Sequence, residues 1–164
     1  MSKEENSSAR EEARGNDIRV SAMNMLARRE HCRSELFTKL IRRFPDSQKV
    51  EQELDRLQAD GLQSDQRFVQ SFIAGRIYRN QGPLKIRQEL QRFELNEVLV
   101  SEAFEEAGAD WLELAVDAAK RKFAGKSLKL PKERDRARQF LYRRGFPSET
   151  CVRAIEQVAS ELEN

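Results

Sequence analysis

Basic side chains recur in three separate clusters of this 164-residue chain, and their chemistry is that of binding phosphate or carboxylate groups. Residues 28–43 hold six Lys or Arg against two acidic residues, residues 67–92 hold six against one, and residues 120–144 hold eleven against two. Guanidinium and ammonium groups offer such anions both charge and hydrogen-bond donors. The clusters therefore indicate a binding surface for phosphate-rich or acidic partners.

Acidic side chains are concentrated in the segments that follow the basic ones, so the formal net charge of +2 conceals an alternation of sign. Residues 46–65 carry six acidic and two basic residues, residues 94–117 carry eight acidic and no basic residue, and residues 149–164 carry four and one. Solvation of amphipathic helices accounts for the number of charges, but not for a change of sign that repeats three times. We therefore predict a cationic stripe to which one helix of each repeat contributes.

Side chains for catalysis or metal binding are scarce. His31 is the only histidine, and the sequence supplies no partner for general-base work, so we expect a structural or binding-surface role for it. Cys32 and Cys151 belong to no CxxC pair, and we expect two reduced, partly buried thiols. Neither a phosphate-binding loop motif nor a dinucleotide-binding glycine motif is present. The sequence predicts no enzyme activity, no metal and no cofactor.

Three aromatic residues have ring faces that can stack on nucleic-acid bases. Trp111 is in helical phase with Leu114 and Phe123, so we predict that it anchors the core. Tyr78 and Tyr142 lie beside arginines in the basic segments. Packing with the hydroxyl at the surface is the simpler interpretation of both, and base stacking is the alternative.

The elements that must position these residues are helices. Helix-favouring residues dominate the chain, and apolar residues recur at spacings of three and four. They mark nine helices in three groups, in which Phe44, Phe93 and Phe146 occupy equivalent places about fifty residues apart. A unit of that size is marginal alone and gains a shared core by stacking. We predict an all-α fold of three tandem three-helix repeats that form an elongated, curved array.

The apolar period and the turn residues set the predicted elements. The first helix is expected to begin at Ile18, with Val20, Met23, Leu26 and Ala27 on its buried face. The predicted helix boundaries lie at Asp46, at Asp60-Gly61, at Ser64, at Pro83, at Gly108 and at Asp110. Buried positions are predicted at Leu36, Leu40, Val50, Leu54, Leu57, Phe68, Ile73, Ile86, Leu90, Val98, Ala103, Ala115, Ala137, Leu141, Cys151, Ile155, Val158 and Leu162.

The predicted organisation is a mobile polar tail at residues 1–17, followed by repeats at residues 18–62, 63–108 and 109–164. The tail has no apolar segment of the kind found in a signal peptide. No apolar stretch approaches the roughly 18 residues needed to span a bilayer. We therefore expect a soluble, cytoplasmic protein without a membrane partner.

A family resemblance rests on five segments in this order: LARREHCRSELFTKL, DGLQSDQRFVQSFIAGR, GPLKIRQEL, DWLELAVDAAKRKF and FLYRRGFPSE. Together they span roughly residues 18–160 and resemble the RecX family, bacterial regulators of the RecA recombinase. The most specific part is GPxxIRQEL after an SDxRF segment. The chain departs from the family pattern at Arg43, where a glycine is common before the hydrophobic residue that ends the first basic helix.

The resemblance implies a regulator of RecA, mainly an inhibitor, that is not an enzyme. Family members are similar crescents of three-helix repeats that lie in the groove of the RecA–single-stranded DNA filament and bridge recombinase subunits. Binding there implies hindered ATP hydrolysis, strand exchange and SOS repressor cleavage. The implied partners are the RecA filament and single-stranded DNA, with duplex DNA as a further candidate, and we expect a monomer.

Sixteen basic residues are predicted to contact the filament or phosphate by charge, without reading bases. Two other functions remain open: a general DNA-binding helical-repeat protein with one helix-turn-helix, and a helical scaffold for another acidic protein. Cations spread over all three repeats argue against a single recognition helix. The predicted contact residues are Arg28, Arg29, Lys39, Arg42, Arg43, Arg76, Arg79, Lys85, Arg87, Arg92, Lys120, Arg121, Lys122, Arg138, Arg143 and Arg144.

Overall fold

The computed structural model describes the backbone of residues 3–161 and the side chains of residues 14–161. Within that range the chain forms nine α-helices and no β-strand, which confirms the predicted all-α class. The helices are α1 Lys3–Leu26, α2 Arg33–Ile41, α3 Ser47–Ala59, α4 Asp65–Tyr78, α5 Pro83–Leu90, α6 Glu97–Ala107, α7 Trp111–Lys122, α8 Pro131–Arg143 and α9 Ser148–Glu161.

Local capping explains why the helices start and stop where they do. Asp46 accepts a hydrogen bond from the backbone N–H of Lys49 (3.2 Å) at the start of α3. Ser64 accepts one from the backbone N–H of Arg67 (3.2 Å) at the start of α4. Gly108 ends α6 in the left-handed region, with φ 55°. These contacts satisfy groups that a helix end leaves unpaired, and they confirm three predicted boundaries.

The start of α1 differs from the prediction. The helix begins at Lys3, so helical backbone covers residues 3–17, where we expected a polar tail. That segment has no apolar period, which is why the pattern placed the start at Ile18. It is rich in Glu, Arg and Ala, and these residues favour helix without a packed face.

The buried face of α1 also differs from the prediction. Val20 and Met23 are 49% and 42% exposed, whereas Ile18 and Ala22 are buried. Both sets have helical spacing, so periodicity alone does not choose between them. Packing of α1 against α2 and α3 makes the choice.

Two other predicted core positions are not borne out. Val98 is exposed where burial was expected, and the predicted core residue Leu162 lies outside the described residues.

Two compact units divide the chain. Unit 1 contains the residues up to Ser71 together with Phe93–Leu95, and in it α1, α2 and α3 pack on one another. Unit 2 contains Phe72–Arg92 and the residues from Asn96 onward, and in it α7 and α8 both pack against α9. The core of unit 1 includes Ile18, Leu36, Leu40, Val50, Leu54 and Leu57, and that of unit 2 includes Ala115, Ala119, Leu128, Leu141, Phe146 and Ile155.

Candidate functional site

The sixteen predicted contact residues all lie at least partly at the surface. Twelve are exposed, and Arg76, Lys85, Arg138 and Arg144 are half-buried. Exposure alone does not identify a binding surface, because a neighbouring carboxylate can neutralise a cation and hold it in place. The structure separates the sixteen by their intramolecular partners.

Two predicted contact residues of unit 1 belong to an internal network around Glu35. The Arg29 guanidinium reaches both carboxylate oxygens of Glu35, at 3.0 Å for one of them. Lys39 Nζ lies 2.9 Å from Glu35 Oε1 and 3.2 Å from His31 Nε2. His31 is only 4% exposed, so its role is structural rather than that of a binding surface.

Geometry fixes the protonation of the Glu35 network. His31 Nδ1 lies 3.1 Å from the carbonyl oxygen of Arg29, which only accepts, so Nδ1 carries the proton and Nε2 accepts from Lys39. Burial lowers the pKa of His31. Burial also acts to raise the pKa of Glu35, but hydrogen bonds from Arg29 and Lys39 outweigh it and bring that pKa to about 2. Arg29 and Lys39 are therefore engaged inside the protein.

Two predicted contact residues of unit 2 lie against aromatic rings. Arg76 Nε donates to Glu89 Oε2 at 2.6 Å, and its guanidinium lies 4.3 Å from the centroid of the Phe72 ring. The Arg87 guanidinium lies 4.2 Å from the centroid of the Phe104 ring. Cation–π contacts of this kind hold the side chain on the protein surface. Arg76 and Arg87 therefore contribute to packing.

Most of the other predicted contact residues also have intramolecular partners, either carboxylates or aromatic rings. Lys120 Nζ lies 2.5 Å from Glu161 Oε2, and Arg138 lies 2.9 Å from Asp135. Arg92, in the second repeat, also has an intramolecular partner. Ring contacts of 5.4 to 5.9 Å engage Arg43 with Phe44, and Lys122 and Arg144 with Phe140.

Six predicted contact residues make no ion pair, side-chain hydrogen bond or ring contact with any residue in the described part of the chain. Their charge is therefore available to a partner. Three of them lie close along the chain to a backbone contact in unit 2 between the end of α8 and the start of α5, with Lys85 and Arg143 in these helices and Arg79 in the turn between α4 and α5. Those three are Arg79, Lys85 and Arg143, and the other three are Arg28, Arg42 and Arg121.

We call this place the α5–α8 crossing and define it as residues 78–85 and 142–145. The backbone N–H of Gly82 donates to the carbonyl oxygen of Arg144 at 2.8 Å, and that of Leu84 donates to Gly145 at 3.0 Å. Gly82 is the N-cap of α5 and supplies no side-chain cap. The carbonyl groups at the end of α8 therefore satisfy N–H groups that α5 would leave unpaired.

Glycine is required on both sides of the α5–α8 crossing. A Cβ on Gly82 would lie 2.3 Å from the carbonyl carbon of Gly145. A Cβ on Gly145 would lie 2.3 Å from the Cβ of Lys85, and Gly145 also has a φ of 90°. The sequence showed both glycines only as turn residues, and neither turn carries a signal that the two turns meet.

Of the three predictions for aromatic residues, one was confirmed and two were wrong. Trp111 packs against the core of unit 2, with its ring 6.1 Å from that of Phe104, which confirms a core role. Tyr78 and Tyr142 are 87% and 63% exposed, so the prediction that they pack was wrong. Both tyrosines belong to the α5–α8 crossing, beside Arg79 and Arg143.

Reactive groups within the described residues are few. Cys32 and Cys151 are free and fully buried, and burial raises the pKa of both thiols, which keeps them protonated at neutral pH. No group of three His, Cys, Asp or Glu side chains in that part of the chain is placed to hold a metal ion. None of its helices has the length and apolar character needed to cross a membrane.

Two family models match the chain. The model of the third three-helix domain of RecX matches residues 109–155, and that of the second three-helix domain matches residues 64–103. The regulatory protein RecX of Pseudomonas putida strain GB-1 is 41% identical over 138 residues, which cover 84% of this chain and 88% of that protein. The chain belongs to the RecX family. The predicted three-helix repeat is thereby confirmed, and the chain is a member of a family of regulatory proteins.

Further similarities extend over most of this RecX-family chain. The regulatory protein RecX of Halorhodospira halophila is 39% identical over 144 residues, covering 88% of this chain and 89% of that protein. The crystal structure of RecX from Lactobacillus salivarius gives a TM-score of 0.71 at 18% identity, covering 88% of this chain and 96% of that one. Another crystal structure of a regulatory protein RecX gives 0.75 at 18% identity, with 98% and 78% covered. These structures support the helical repeat fold.

Proposed function

We propose that this RecX-family chain regulates the RecA recombinase, mainly as an inhibitor, by binding in the groove of the RecA–single-stranded DNA filament. Such binding modulates ATP hydrolysis, strand exchange and SOS repressor cleavage. Family membership supports the regulatory role. The contact surface is proposed from one observation, namely that six of the sixteen predicted contact residues have no intramolecular side-chain partner among the described residues.

Free cations suit such a groove because DNA phosphates and acidic protein side chains both attract them. A cation that no internal carboxylate neutralises releases the counterions of the phosphate that it contacts. The free cations among the sixteen predicted contact residues belong to all three three-helix groups of the chain. The six free cations therefore replace the set of sixteen as the proposed contacts. As a further part of the proposal, the chain acts as a monomer in the cytoplasm.

A titration of RecA ATP hydrolysis on preformed filaments tests the proposal. We expect inhibition at protein concentrations well below those needed to coat the DNA. Circular and linear single strands should be compared, because they differ in free filament ends and so separate groove binding from end capping. If the protein slows neither ATP hydrolysis nor repressor cleavage at any concentration, the proposal is wrong.

A second candidate function is general DNA binding without the recombinase. The exposed tyrosines beside free arginines at the α5–α8 crossing favour it, since such a surface contacts nucleic acid directly. The two functions differ in one measurement. Inhibition that stays in proportion to the fraction of free DNA covered by the protein supports general binding, whereas inhibition far below that coverage supports filament regulation.

A further inference from the structure

The α5–α8 crossing presents aromatic rings that a purely electrostatic surface does not need. The chain has two tyrosines, and both belong to this crossing. Tyr78 is 87% exposed and Tyr142 is 63% exposed. Neither side chain hydrogen-bonds, pairs or stacks with any residue that the structure describes. These two open rings, which lie four residues before Gly82 and two residues before Arg144 along the chain, therefore lack a function inside the protein.

The same crossing carries cations without counter-charges. Arg79 follows Tyr78, Arg143 follows Tyr142, and Lys85 lies against Gly145. None of the three cations pairs with a carboxylate in the described range. Elsewhere in unit 2, Arg76, Arg138 and Lys120 are paired with acidic partners, whereas Arg121 is free but has no tyrosine beside it. Free cations and exposed tyrosines therefore coincide at the crossing.

That combination is the chemistry of single-stranded nucleic acid. A single strand offers phosphates to cations and unstacked base faces to aromatic side chains. A duplex offers the phosphates but keeps its base faces inside the stack. A protein partner can also bury Tyr and Arg side chains, so contact with protein is one outcome of the test below. The crossing therefore favours a single strand over a duplex.

The backbone holds these groups in a fixed arrangement. Two hydrogen bonds, of 2.8 and 3.0 Å, join the end of α8 to the start of α5, and the two glycines allow the backbones to touch. Tyr142 and Arg143 are in the last turn of α8, and Lys85 is in the first turn of α5. Because the backbone at this contact is already ordered, binding there has to order only the side chains.

We propose that the α5–α8 crossing is a binding site for single-stranded nucleic acid. Tyr78 and Tyr142 stack on bases, and Arg79, Lys85 and Arg143 contact phosphates. This proposal takes up the base-stacking alternative for the two tyrosines and adds it to the expected contacts by charge. The inference rests on the proposed function in one respect, namely that the filament holds the single strand that the crossing contacts.

Fluorescence anisotropy with the full chain tests the stacking directly. The probes are a labelled oligothymidine of about 16 nucleotides and an abasic strand of the same length, which keeps the phosphates and lacks the bases. The Tyr78→Ala/Tyr142→Ala variant is compared with Tyr78→Phe/Tyr142→Phe, which preserves both rings. Because both side chains are exposed, we expect all variants to keep the helical circular dichroism and melting temperature of the parent.

We expect the alanine variant to lose oligothymidine affinity by about tenfold or more, and the phenylalanine variant to stay within about twofold of the parent. The parent should bind oligothymidine more tightly than the abasic strand, and the alanine variant should bind the two equally. Base removal and ring removal would then be non-additive, as expected for groups in contact. Equal affinity of the parent and the alanine variant for oligothymidine overturns the inference.

The same variants separate this inference from the proposed function. If the alanine variant binds oligothymidine like the parent but no longer inhibits filament ATP hydrolysis, the rings contact protein, and the inference fails while the proposed function stands. If the parent binds oligothymidine through the rings but never inhibits the filament, the proposed function fails and the single-strand site stands. If ring removal changes neither readout, the inference fails alone.

Discussion

Among the described residues, Glu35 is the one whose pKa is shifted most strongly by the fold. Its pKa is about 2 in the folded protein, against an ordinary value of 4.5, so the folded state binds fewer protons than the unfolded state between these values. Its contribution to stability is therefore complete above pH 4.5 and is lost as the pH falls towards 2. The lowered pKa of His31 acts in the same direction, beginning below its ordinary value of 6.5.

Replacing Glu35 with glutamine should lower the free energy of unfolding at pH 7 by roughly 2 kcal/mol, a figure that allows for solvent screening at the half-exposed Arg29. The variant should also lose stability less steeply than the parent below pH 4.5. Urea denaturation at several pH values measures both effects. Glu156→Gln, at an exposed position of α9, is the matched control and should change little. Equal acid sensitivity of the Glu35→Gln variant and the parent would contradict the assignment.

The intramolecular partner of each basic residue could not be predicted from the sequence. Arg28 and Arg29 are adjacent and chemically identical, yet Arg28 has no described partner and Arg29 is bound to Glu35. Lys85 and Arg87 lie in one helix, yet Arg87 lies over the Phe104 ring. The sequence predicts that these residues reach the surface. It does not predict their partners, because those depend on which side chains tertiary packing brings within reach.

The contact between α5 and α8 depends on the absence of a Cβ at Gly82. Gly82→Ala places a methyl group 2.3 Å from backbone atoms of Gly145, which cannot move aside as a flexible side chain would. We expect a loss of about 3 kcal/mol in the free energy of unfolding. Gly75→Ala, in the last turn of α4 with open space around it, is the matched control and should gain up to about 1 kcal/mol. Thermal or urea denaturation of the two variants measures the difference, and similar effects at both sites would contradict the close approach.

The residues near a helix end determine where the helix begins or ends. They do not determine which face of the helix is buried. Asp46, Ser64 and Gly108 act on backbone groups within a few residues, so the sequence was sufficient to place the boundaries that they set. The buried face of α1 depends on α2 and α3, which lie elsewhere in the chain. The pairing of Gly82 with Gly145 depends on two turns more than sixty residues apart. Both therefore required the structure.

For the molecule as a whole, free cations occur in every three-helix group. Among the sixteen predicted contact residues, Arg28 and Arg42 belong to the first group, Arg79 and Lys85 to the second, and Arg121 and Arg143 to the third. The third group has further cations without a side-chain partner in the described part of the chain, namely Lys129, Lys132 and Arg153. The remaining predicted contact cations have intramolecular partners, so the high content of charged residues overstates the charge available for binding.

The salt dependence of single-strand binding distinguishes free cations from paired ones. Removing one cation that binds a phosphate should reduce the slope of log Kobs against log salt by about 0.7, so Lys85→Ala/Arg143→Ala should reduce it by about 1.4. The matched variant Lys120→Ala/Arg136→Ala removes the same charge from residues paired with Glu161 and Glu133, and its slope should stay near that of the parent. Anisotropy titrations between about 50 and 200 mM salt measure the slopes. If the two variants change the slope equally, net charge rather than the free cations governs binding, because the only property they share is the number of positive charges removed.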